Sequence, residues 1–215
     1  MKKIRWVISA AIIASMALSL AGCSLGGGVK FGPSVLAKYA KDYGAELYED
    51  GGDFHNEVEY MDDTGDLEGG VYIHAEGNDI RAAMKQTFIL GDFYDSSVKE
   101  ATIFVVGDYG NTVCTFVSEV FESKDDAQDM YDGLVEDFED VKDQSGEDAE
   151  MEEFEEGGMV FTLINAESPY TTCSYGAYLK DNTLFIVFCY GDEKDINNYA
   201  DDVCEALDVM APSEL

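Results

Sequence analysis

Two stretches of this chain carry the same apolar rhythm, and that rhythm limits the folds open to it. Thr112–Phe121 reads as a strand, and Ala127, Met130, Tyr131, Leu134, Val135, Phe138 and Val141 then follow at helical spacing over about 124–142. Thr171–Leu179 and Thr183–Tyr190 read as a hairpin about Lys180-Asp181-Asn182. Ile196, Tyr199, Ala200, Val203, Cys204, Leu207 and Met210 then mark a second helix. A shift of 69 positions lays Phe116 on Phe185, Ala127 on Ile196, Leu134 on Val203 and Phe138 on Leu207. Identities are few, so a true duplication and a chance match of two similar units both fit. Ala101–Val106 and Met159–Ile164 add a strand ahead of each unit. Hairpin strands followed by helices predict an α+β domain with an antiparallel or mixed sheet, helices on one face, and halves at about 71–142 and 158–210.

Elsewhere the pattern is weaker. Pro33 and Ser34 precede Leu36, Tyr39, Ala40, Tyr43 and Leu47, one face of a helix over about 34–48 with Ser34 as its cap. Residues 49–70 hold nine acids and five glycines without a sustained period, which predicts an exposed loop or a poorly ordered insert. Val71–Ala75 reads as a strand and Asn78–Gln86 as a helix with Ile80 and Met84 on one side. Residues 147–156 are the densest acidic run, seven acids in ten.

The N-terminus points to a location. Lys2, Lys3 and Arg5 precede an uncharged apolar stretch from Trp6 to Leu20, followed by Leu20-Ala21-Gly22-Cys23. A basic start, an apolar run and small residues at a cleavage point describe a secretory signal peptide. This end resembles the signal sequences of bacterial lipoproteins and matches their lipobox at all four positions. The resemblance implies cleavage before Cys23 and lipidation of its thiol by diacylglyceryl and acyl (palmitate-type) chains, which hold a protein to a membrane when two or more are present. The chain then divides into a signal peptide at 1–22, a lipidated Cys23 with a glycine-rich tether at 23–33, and one acidic α+β domain at 34–215. The resemblance places that domain on the extracytoplasmic face of a bacterial cell membrane.

Charge narrows the partners. Without its first 22 residues the chain holds 10 basic residues against 45 acidic ones, a net charge of -35. Phosphate recognition needs lysine and arginine, so nucleic acid is excluded as a partner. Docking on an anionic lipid face by charge is disfavoured too, which leaves the lipid on Cys23 as the route to the membrane. A basic protein or peptide is the partner that such a surface would steer. With 46% apolar and 12% aromatic residues, the acidity does not mean disorder.

Side chains that usually do chemistry are sparse. Cys114, Cys173, Cys189 and Cys204 are an even number that permits disulfides. The first reading makes them small buried hydrophobes, with Cys173–Cys189 the bridge if one forms across the hairpin. In that hairpin a three-residue loop sets Cys173 opposite Cys189, whereas a four-residue loop sets it opposite Tyr190 and pairs Leu179 with Leu184. His55 and His74 show no metal or nucleophile spacing and read as ordinary surface or half-buried histidines. Ser96-Ser97-Val98-Lys99 matches the Ser-x-x-Lys of penicillin-interacting enzymes, but no Lys-Thr-Gly accompanies it and its serine precedes a strand. Asp62, Asp63, Asp66 and Glu68, or the run at 147–153, are weak calcium candidates that lack the spacing of a calcium loop. Tyr109 and Tyr170 sit at turns and are the aromatics placed to meet a ligand. No metal, catalytic group or cofactor other than the covalent lipid is indicated. The reading is a non-catalytic binding or interaction module at the cell envelope, the alternative a carboxylate-based envelope hydrolase.

Overall fold

Residues 30–64, 69–77, 97–107, 112–145, 149–167 and 171–215 are described by the computed structural model. Among them the strands are β1 (Glu46–Tyr48), β2 (Val71–Glu76), β3 (Val98–Gly107), β4 (Val113–Phe121), β5 (Ala149–Glu156), β6 (Met159–Glu167), β7 (Thr172–Lys180) and β8 (Thr183–Gly191). They form one sheet in the order β1-β2-β3-β4-β8-β7-β6-β5. β1 and β2 run parallel and every other neighbouring pair is antiparallel. Among the described residues four α-helices accompany the sheet: α1 (Pro33–Tyr43), α2 (Gly51–Thr64), α3 (Lys124–Ser145) and α4 (Glu193–Leu207). The chain is an α+β fold with a mixed sheet, the class that its strand pairs predict. No helix among the described residues is long and apolar enough to cross a membrane.

The helices cover both faces, not one. Phe54 and Val58 of α2 and Tyr131, Leu134 and Phe138 of α3 pack against Ile103, Val117 and Ile186. On the other side, Leu36 and Ala40 of α1 and Ile196, Val203 and Leu207 of α4 pack against Phe104, Phe116, Phe185 and Val187. The cause is written in the central strands: β3, β4 and β8 are apolar at consecutive positions, so both sides of the sheet must leave water. Two crossovers fix which helices share a face. β1 and β2 run the same way and are joined through α2. β4 and β5 also run the same way, and α3 carries the chain between them past β8, β7 and β6. Both connections advance in the same direction across the sheet, so a common handedness puts α2 and α3 on one side. Among the described residues no strand follows α4, and it packs on the opposite side.

The two units have the same arrangement in their strands and differ in where their helices lie. β2-β3-β4 and β6-β7-β8 are three-strand meanders that meet at the antiparallel β4–β8 seam. Phe116 and Phe185, matched by the 69-residue shift, lie in the same core layer. A two-fold relation between antiparallel neighbours preserves the faces of the sheet, yet α3 and α4 lie on opposite ones.

Three local expectations change. α1 ends at Tyr43 rather than about residue 48, because Gly44 turns left-handed (φ 102°) and its N–H donates back to Ala40 and Lys41 carbonyls. It also begins earlier: Gly32 is its cap, and Phe31 is buried, so the fold includes 31–33 rather than starting at 34. The acidic stretch at 49–70 forms α2 where described, directly after the short strand β1. Asp50 Oδ1 accepts from the N–H groups of Gly52 (2.8 Å) and Asp53 (3.1 Å) as a helix cap, and Phe54 and Val58 supply the buried stripe. The run at 147–156 contributes the edge strand β5, joined to β6 by Gly157-Gly158 with φ of 60° and 76°. The helix expected at 78–86 lies outside the described residues.

Candidate functional site

The β2–β3 hairpin brings together three metal-type side chains that lie far apart in sequence. In its register His74 faces Thr102 and Glu76 faces Glu100. Side chains two apart on a strand share a face, so His74, Glu76, Glu100 and Thr102 all stand on the α1 side with Tyr72 and Phe104. The entry to α1 sits over them. Thr102 Oγ1 donates to the Pro33 carbonyl (2.9 Å), and Ser118 Oγ on β4 donates to the Phe31 carbonyl (2.6 Å). Ser34 is not the cap of α1 but lies in its first turn, where its hydroxyl donates to Glu100 Oε1 (2.8 Å). The first turn of a helix favours negative charge, which suits Glu100 there.

These bonds fix the histidine tautomer. Thr102 has one hydroxyl hydrogen and gives it to Pro33. Toward His74 Nδ1, 2.8 Å away, it can only accept, so the ring hydrogen sits on Nδ1. Nε2, on the other side of the ring, faces Glu76 Oε1 at 3.9 Å and Glu100 Oε1 at 4.0 Å, both beyond hydrogen-bond range. All three ligand atoms lie within 4.8 Å of one another.

A concave region lies between α3 and β5–β6. Val135, Glu139, Lys142, Asp143, Met151, Glu153 and Thr162 line a groove of about 540 Å³. Three carboxylates and one ammonium give it an acidic character. Thr162 of its lining meets the buried Tyr131 hydroxyl at 2.7 Å, and that phenol is pushed up to about 12, chiefly by burial.

The cysteines pair differently from the Cys173–Cys189 expectation. Asp181 (φ 59°) and Asn182 make a two-residue turn that sets Lys180 opposite Thr183, Leu179 opposite Leu184 and Cys173 opposite Tyr190. Cys173 and Cys189 then differ in strand parity and point to opposite faces of the sheet. Cys189 instead forms a disulfide with Cys114, its direct neighbour across the β4–β8 seam, at a Cα separation of 4.1 Å. Cys173 and Cys204 are free thiols. Burial raises Cys204 to about 12, which leaves it unreactive beside the Tyr178 hydroxyl.

The remaining residues singled out in the sequence do not gather into a site. Cys23, Asp66, Glu68, Ser96, Tyr109 and Tyr170 lie outside the described residues; Asp62, Asp63 and His55 fall along α2. Val98 and Lys99 open a strand, so the Ser-x-x-Lys spacing does not begin a helix. Sequence reasoning passed over the His74 cluster because Glu100 is 24 residues beyond Glu76; the visible hint was the His-x-Glu pair on one strand face.

No protein-family model matches the chain, and no curated protein matches it by sequence. Among solved structures, it is similar to the extracellular domain of PknH from Mycobacterium tuberculosis, with a TM-score of 0.38 and 8% identity. That similarity covers 67% of this chain and 80% of the other.

Proposed function

We propose that this chain is an extracytoplasmic lipoprotein, held to the bacterial membrane by lipid on Cys23, whose acidic domain binds a basic protein or peptide without catalysing a reaction. The observation that carries this reading is Leu20-Ala21-Gly22-Cys23 behind a basic start and an uncharged apolar run. The fold is compatible with a short leash. Lys30 is seven residues after Cys23, so the tether reaches at most about 25 Å, and Phe31 is already in the core. Anionic headgroups repel the acidic domain, which turns its most charged surface outward. The α3–β5 groove is part of that surface: Glu139, Asp143 and Glu153 converge there, and Glu155, two residues further along β5, stands on the same face. A lysine- or arginine-rich segment complements it and associates faster at low salt.

Two measurements test the two parts. Replacing Cys23 with Ala leaves a larger, unprocessed precursor in the membrane fraction; normal processing of that variant rejects the anchor. Cross-linking from the tagged chain recovers a basic protein at low salt and loses it at high salt. Release of cell-wall fragments with no recovered partner rejects the binding reading.

A further inference from the structure

The geometry points to a divalent transition-metal site, zinc in type, formed by His74 Nε2, Glu76 and Glu100. Two carboxylate oxygens converge on Nε2 at 3.9 and 4.0 Å, too far for hydrogen bonds and spaced so that one cation can be shared among the three. With the three ligand atoms inside 4.8 Å, an ion equidistant from them sits at most about 2.5 Å from each. Bond lengths of about 2.0–2.2 Å then need a contraction of a few tenths of an ångström. Glu76 supplies it, because its side chain is 76% exposed and free to swing, whereas His74 is 28% exposed and Glu100 26%.

What separates this cluster from acids that merely share a surface is the support behind the ligands. A metal-binding histidine characteristically donates its other ring N–H to an oxygen that fixes the tautomer. His74 does this through Thr102, whose own hydrogen is committed to the Pro33 carbonyl. Glu100 is likewise oriented by the Ser34 hydroxyl. Imidazole with two carboxylates suits zinc and its neighbours, while calcium prefers an all-oxygen shell of six to eight ligands. Three protein ligands leave a fourth position for water or for a group on a partner. The site ties β2 and β3 to the start of α1, next to the tether, and is independent of the acidic groove and of whether Cys23 is lipidated.

Zinc titration of the full-length chain in detergent, with free thiols alkylated and calcium in excess, tests the site. One saturable zinc per chain is expected, undisplaced by calcium and accompanied by a change in the His74 ring nitrogen resonance. His74→Ala and Glu76→Gln each weaken binding at least about ten-fold, and His55→Ala leaves it unchanged. Glu76→Gln alters an exposed side chain, so it keeps the test valid if His74→Ala disturbs the fold. The site is overturned if zinc does not saturate the parent chain, or binds Glu76→Gln as tightly as the parent.

Discussion

Gly191 shows how single positions hold this fold in register. It ends β8 at φ 139°, a region open to glycine, and a Cβ there would stand 2.5 Å from the Thr112 backbone. Thr112 Oγ1 in turn accepts from the Asp192 N–H (3.0 Å), and Asp192 caps α4 by accepting from Lys194 N–H. One small residue thus lets the β8–α4 corner lie flush on the start of β4. Gly191→Ala is expected to destabilise the chain by about 3 kcal/mol or more, since backbone cannot yield as a side-chain tip does. Gly157→Ala, at φ 60° but with open space around it, costs about 1 kcal/mol. Urea unfolding of both variants checks the difference; equal midpoints would refute the account. At this scale the sequence was informative where chemistry is local. Asp181-Asn182 and Gly157-Gly158 are turn signals in their own right, and the second was overlooked only because acids surround it. His74, Glu76 and Glu100 were not legible, because only hairpin pairing across twenty-odd residues makes them neighbours.

Elements were readable in proportion to how plainly one face differs from the other. α3 and α4 announce themselves by apolar spacing, and Ser123 caps the former, its hydroxyl accepting from Asp126 N–H (3.1 Å). α2 and β5 are thin: among its described side chains α2 buries Phe54 and Val58, and β5 is held on one side by Phe154 stacked on Phe161 at 4.9 Å. Such elements draw their stability from the sheet they lie on, which a local pattern cannot display. Consecutive apolar residues in β3, β4 and β8 were themselves the sign of a doubly covered sheet. The β4–β8 seam is the element pair on which the two meanders depend. Its disulfide spans 75 residues, and the chain-entropy account assigns such a loop about 4 kcal/mol. Replacing Cys114 and Cys189 together by Ala is expected to lower stability by about 2–4 kcal/mol. Denaturation of the double variant beside the reduced parent measures it; a variant as stable as the oxidised parent would contradict the assignment.

Across the whole molecule, burial keeps several weak acids protonated. Cys204 and Tyr131 are raised to about 12, and Tyr178 is raised well above its usual value by its place in the core. These folded-state values exceed the unfolded ones, so the unfolded chain loses its protons first as pH rises. Their contribution is complete below about pH 9 and is lost towards pH 12, at about 1.4 kcal/mol per pH unit for each group. The melting temperature is therefore expected to fall steadily above pH 9, and to fall less between pH 9 and 10 in Cys204→Ala. An equal fall in both proteins would remove Cys204 from the explanation. The placement of β8 also sets an order in time. β4 is synthesised long before β8, yet it borders β8 at the centre of the finished sheet. Until β8 has been made, one side of β4 is an unpartnered edge, the kind of template on which chains aggregate. Cys114 waits over the same interval for Cys189, so the appearance of that bond is a clock: it records when β8 has arrived and the two meanders have joined.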